Sequence, residues 1–175
     1  MSTLLKNEFL KSIGEMTILF SRLESYISGY VGEFISQDYE LNKIIVAGEQ
    51  MSSLLVLFQS LGHYRIEDKK ELKRLNIIIK NIERINTERN KIIHSDWFLA
   101  EINNKMFARR SLFNKKNKKQ LSHEIKDVDL QNMNDLNTQI NEGIKQVISF
   151  MADNGSLIEK HRNETAEKHI IKIHQ

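Results

Sequence analysis

The chain has 175 residues, 40% of them hydrophobic, with no cysteine, no proline and a formal charge of +3. That length and apolar content suit one domain able to bury its own core, and the missing cysteines exclude a disulfide framework or a thiolate metal site. A pI near 9.0 is too mildly basic for a dense nucleic-acid coat, so it permits an RNA substrate without predicting one. No apolar run approaches the roughly 20 residues needed to span a bilayer, and residues 1–8 lack a basic leader followed by an apolar core; the expectation is a soluble cytoplasmic protein with no membrane partner. The absence of proline, the usual punctuation of loop-rich and all-β chains, makes a mainly α fold the default.

In chain order, Phe9, Ile13, Met16, Phe20, Leu23, Ile27, Tyr30 and Phe34 alternate steps of four and three, which places them on one stripe of a long first helix ending near Ser36. Gly14, Gly29 and Gly32 interrupt it, so close packing or bending is expected there. Residues 37–48 read as a connector, because Ile44, Ile45 and Val46 form too short a run to classify. A second helix is expected over about 49–62, with Met51, Leu54, Leu55, Phe58 and Leu61 inward and Gly62 as its stop. A third begins near Asp68, with acidic residues in its first turn.

That third helix carries Leu75, Ile78, Ile82 and Ile85 on its stripe, and the same steps continue through Arg89 to Ile92. Arg89 is therefore expected to point inward, where a charge is costly unless paired or facing a polar cleft. Glu24, beside the stripe of the first helix, is the candidate partner.

Beyond Trp97, which reads as core, residues 98–102 and 106–113 read as two strands joined by a turn at Asn103, Asn104 and Lys105; residues 121–125 are a candidate third strand. The lysine-rich residues 114–120 read as a solvated loop. A fourth helix capped by Asp129 follows, with Leu130, Met133, Leu136, Ile140, Ile144, Val147, Ile148 and Met151 at helical spacing. Asp153, Asn154, Gly155 and Ser156 are expected to break it, leaving 156–175 as a charged tail or loosely docked helix after a domain over 1–155.

The segment Arg89-Asn90-Lys91-Ile92-Ile93-His94 joins a permanent, fork-shaped cation suited to phosphate oxygens to the side-chain type that exchanges protons near neutral pH. The arginine, the four intervening residues, the histidine near a helix end, the polar residue directly after the arginine and the long first helix with Leu23-Glu24 together resemble the HEPN superfamily, over roughly residues 3–151. The resemblance implies a four-to-five-helix bundle, here with a small β-hairpin at about 98–125 inserted after the motif helix. It also implies a metal-independent endoribonuclease of toxin or phage-defence type, with Arg89, Asn90 and His94 as its catalytic set; Glu24, from its place beside the first stripe, and Asn86, which flanks the stripe of the third helix as Asn90 does, are added as supporting candidates. In such a reaction a ribose 2′-OH attacks the adjacent phosphate, His94 acts as base or as acid for the leaving oxygen, and Arg89 clamps the phosphate. RNA is then the substrate, because DNA lacks the nucleophile.

A five-residue step separates Arg89 from His94 by roughly 140° around a straight helix, whereas Asn90 and His94 share a face. Either the helix unwinds around His94 or a second protomer completes the site. Family members commonly build it at a two-fold interface, so the resemblance implies a homodimer. In the branch that pairs with a nucleotidyltransferase antitoxin, a tyrosine stands two places after the histidine; here Asp96 stands there, so that mode of regulation is not carried over.

Plainer readings remain open beside this one: Arg89 as an ion pair tying two helices together, His94 as a helix C-terminal cap, and the chain as a non-catalytic module binding nucleotide, RNA or a partner protein. An antitoxin protein is a further candidate partner for the basic tail and lysine loop. The remaining histidines, His63, His123, His161, His169 and His174, lack the i,i+4 spacing of a helical metal site, so neither metal nor cofactor is expected.

Overall fold

The computed structural model describes residues 3–94, 96–99, 106–113 and 121–173. The fold is mainly helical, in the order α1 (Thr3–Ile35), α2 (Tyr39–Val46), α3 (Met51–Arg65), α4 (Lys69–Ile93), β1 (Asp96–Leu99), β2 (Met106–Phe113), β3 (Leu121–Val128) and α5 (Leu130–Ile173). The chain groups into two compact units. The first comprises Met1–Phe20 and Arg84–Ile140, the second Ser21–Glu83 and Asn141–Gln175.

In the first unit, α1 buries Phe9, Met16, Leu19 and Phe20, α4 buries Ile85 and Ile92, and α5 buries Met133, Leu136 and Ile140. The α1 stripe also takes in a hydroxyl. Ser12 is buried, its Oγ–H donates to Asn134 Oδ1 at 3.2 Å, and Asn137 Nδ2 donates back to the Ser12 carbonyl at 3.2 Å. Two helices are thereby joined through polar groups that would be costly if left unpaired in the core. Asp129 caps α5 as its residue type favours, accepting from the Asn132 N–H at 2.7 Å. The strands pair antiparallel in the order β1-β2-β3, with Asp96 opposite Arg109 and Phe113 opposite Leu121. β1 starts two residues before the expected strand, and β3 runs three residues beyond 125. The turn at 103–105 and the lysine loop at 114–120 lie outside the described residues.

The second unit is centred on aromatic packing: Phe58 meets Phe34 and Phe150 edge-on, with ring centroids 5.7 and 6.2 Å apart. Such pairs add about 0.5–1.5 kcal/mol each beyond the area they bury. Residues 39–46 are helical, not a connector, and α2 is inside-out. Asn42 is buried while Tyr39, Leu41, Ile44 and Ile45 are exposed, so no inward apolar pattern marks it. Asp38 caps it by accepting from the N–H groups of Glu40 and Leu41, and Asn42 Nδ2 donates to the Ser36 carbonyl at 2.9 Å. Asn42 packs so closely on α1 that a Cβ at Gly32 would sit 2.8 Å from the Asn42 Cβ, whereas Gly14 and Gly29 have nothing within 4 Å. Close approach therefore accounts for only one of the three α1 glycines.

Gly62 is not a stop. It lies inside α3, buried, where an added Cβ would collide with the Leu75 side chain of α4. The helix continues to Arg65, whose Nε–H donates to the Phe34 carbonyl at 3.2 Å and satisfies an acceptor left open in the last turn of α1. Asp68 caps α4 by accepting from the Lys70 N–H at 2.7 Å.

Residues 153–156 do not interrupt α5. Asn154 is 1% exposed, and its Nδ2 donates to the Phe150 carbonyl at 2.9 Å and to Glu71 Oε2 on α4 at 3.0 Å. Arg74 on α4 donates to Asp153 Oδ2 at 2.7 Å, to Ser149 Oγ at 2.9 Å and to Glu71 Oε2 at 3.2 Å, and lies over the Phe150 ring. The hydrogen bond to Asp153 holds the Arg74 guanidinium above its ordinary pKa, against the opposing effect of burial. Turn-forming residue types are thus kept helical by partners on another helix, and Ile158 beyond them is still buried. No helix among the described residues is long and apolar enough to cross a membrane.

Candidate functional site

The last turns of α4 hold the Arg-to-His segment, in the first unit. Ile85 and Ile92 are buried on either side of Arg89 along the stripe, so helical periodicity alone directs the arginine inward, and its side chain is half-buried. The guanidinium carbon lies 4.8 Å from the centroid of the buried Phe20 ring on α1, a cation–π contact. Nη1–H donates to Asn90 Oδ1 at 2.9 Å, and Nε is buried with no hydrogen-bond partner among the described residues. Asn90 in turn donates from Nδ2 to Asn86 Oδ1 at 3.2 Å, the i,i+4 reach that puts two side chains on one helix face. Asn86, Asn90 and Arg89 therefore form one polar ladder beside a hydrophobic stripe.

His94 closes the helix. Its N–H still bonds the Asn90 carbonyl at 3.1 Å, so the backbone ladder is regular up to His94, and its side chain is exposed. Nothing unwinds the helix before this point, and the roughly 140° between Arg89 and His94 stands. Lys91 and Glu88 pair at 2.6 Å on the helix surface, a contact of the kind worth less than about 1 kcal/mol.

The structure thus brings Arg89, Asn90 and Asn86 together and puts His94 at the exposed end of the same helix. Glu24 is half-buried on the part of α1 that belongs to the second unit. The group that meets the guanidinium within its own unit is Phe20, one turn before Glu24. Phe20 sits on the apolar stripe of α1 and has no polar signature, so sequence reasoning assigns it to the core; only the continuation of the α4 stripe through Arg89 hints that a core ring must face a cation.

Chemically, the ladder offers a guanidinium with N–H groups left on its Nη atoms, the imidazole offers a proton acceptor or donor, and the two stand on different sides of one helix end. Among the described residues no three His, Cys, Asp or Glu side chains come together as metal ligands; His63 instead contacts Asn76 Oδ1 at 3.2 Å. Comparison of the chain with protein-family models, with curated proteins and with solved structures finds no match.

Proposed function

We propose that this chain is a HEPN-like, metal-independent endoribonuclease acting as a homodimer, a toxin or phage-defence effector that cuts cellular RNA. The reading takes the helices as a HEPN-like bundle and the strands between α4 and α5 as an inserted hairpin. The observation that carries it is the exposed His94 at the end of the helix whose preceding turn holds Arg89 in a polar ladder with Asn90 and Asn86.

In this mechanism His94 takes the 2′-OH proton, or gives one to the leaving 5′ oxygen. Arg89 stabilises the charge that builds on the phosphorane, and Asn90 supports the arginine. The products are a 2′,3′-cyclic phosphate and a 5′-OH end. The regular ladder up to His94 favours the dimeric form of the site, since it leaves a second protomer to bring the missing group to each arginine.

The test is incubation of purified protein with tRNA and mRNA in EDTA beside Arg89→Ala and His94→Ala, with toxicity on expression read in parallel. Cleavage and toxicity that disappear in both variants support the reading; equal toxicity of the three folded proteins would sink it. The packing of Arg89 on Phe20 favours a second reading, a non-catalytic helical module that binds RNA, nucleotide or a partner such as an antitoxin. For that module all three proteins bind RNA or a partner and none cleaves.

A further inference from the structure

We propose that Phe20 and Asn86 are positioning residues for Arg89, which together fix the direction in which its guanidinium meets a phosphate. The inference rests on the reading of Arg89 as the phosphate-binding cation. Phe20 is 4% exposed, so its ring is packed in the core, and the guanidinium carbon lies 4.8 Å from the ring centroid. A planar fork above a core-packed ring keeps fewer orientations than one surrounded by water.

Asn86 acts one step further away. For Asn90 to accept from Arg89 Nη1 its amide must turn Oδ1 toward the guanidinium, and the bond from Asn90 Nδ2 to Asn86 Oδ1 selects that flip. Without an acceptor at residue 86 the amide is free to turn its NH2 toward the guanidinium, where donor would face donor. Nε is buried without a partner among the described residues, so phosphate recognition falls to the remaining N–H groups on Nη1 and Nη2. Phe20 and Asn86 touch no substrate in this account; they act by leaving those N–H groups aimed in one direction, the pre-organisation that keeps a reacting phosphate in line.

The experiment compares full-length wild type with Phe20→Leu, Asn86→Leu and Asn86→Gln, reading kcat and KM on one RNA in EDTA together with thermal melting. Phe20→Leu and Asn86→Leu are expected to lower kcat roughly 10-fold, with KM within about twofold, because misaim costs the transition state more than ground-state binding. Asn86→Gln keeps a neutral acceptor for the Asn90 amide and is expected to recover most of the rate. Leucine is the better helix former, so Asn86→Leu should melt no lower than wild type, which separates lost aim from lost fold even where Phe20→Leu fails to fold. The proposal is overturned if Asn86→Leu cleaves at the wild-type rate, or if Asn86→Gln is as slow as Asn86→Leu. Inactive wild type would instead overturn the ribonuclease reading, and this inference with it.

Discussion

Two arginines on α4, each over a phenylalanine ring in its own unit, are held in opposite ways. Arg74 gives its N–H groups to Asp153, Glu71 and Ser149 and lies 5.7 Å from the Phe150 centroid. Arg89 lies closer to its ring, at 4.8 Å, but among the described residues its hydrogen-bond partner is one neutral amide and its Nε has none. A guanidinium that bonds two carboxylates and a hydroxyl on its own and a neighbouring helix is engaged in holding helices together. One that is packed, aimed and only partly bonded keeps donors for a ligand. Among the described residues of its own unit, Arg89 is thus met by a ring and a neutral amide and by no carboxylate.

Substitution at the two arginines should therefore fail in different assays. The largest effect is expected at the motif: Arg89→Ala should reduce RNA cleavage by about 100-fold to 10,000-fold while costing only the roughly 0.5–2 kcal/mol of a lost cation–π contact, checked by single-turnover kinetics beside calorimetry. A large loss of stability with cleavage retained would make Arg89 a second Arg74. Next comes the packing between α3 and α4. Gly62→Ala pushes a methyl into Leu75, the neighbour of Arg74, and should cost about 1–3 kcal/mol in urea unfolding with cleavage by the folded fraction unaffected.

Arg74→Ala should cost about 1–2 kcal/mol, since it strips partners from Glu71 and Asp153 in a half-exposed setting, and should leave kcat within twofold of wild type. Smallest is Asp153→Asn. The Asp153 side chain is 55% exposed, so its removal from the ion pair should change stability by less than about 1 kcal/mol, and by still less in high salt.

Much of this contrast is legible in the sequence. Steps of four and three through Leu75, Ile78, Ile82, Ile85, Arg89 and Ile92 put Arg89 on the buried stripe by spacing alone, and the start of α4 near Asp68 and the cap Asp129 of α5 are readable from residue type and position. What is not legible depends on partners distant in the chain. Asp153, Asn154, Gly155 and Ser156 are turn formers by local propensity, and they stay helical because Glu71 and Arg74 bind the first two. Gly62 resembles a helix stop until Leu75 is placed against it. α2 hides because its buried side chain is Asn42 and its apolar residues face out. Phe20 is indistinguishable from any core aromatic until the two helices are put together. Local pattern reveals which residues face inward, but what they face is decided by tertiary pairing.

The central claim is that Arg89 and His94 serve RNA chemistry while Arg74 serves the fold. Its most direct measurement is the chemistry of the ends made when wild type, Arg74→Ala and Arg89→Ala are each incubated with RNA in EDTA. The account predicts 2′,3′-cyclic phosphate and 5′-OH ends from wild type and Arg74→Ala, and intact RNA with Arg89→Ala. The same ends produced by Arg89→Ala at the wild-type rate would contradict it.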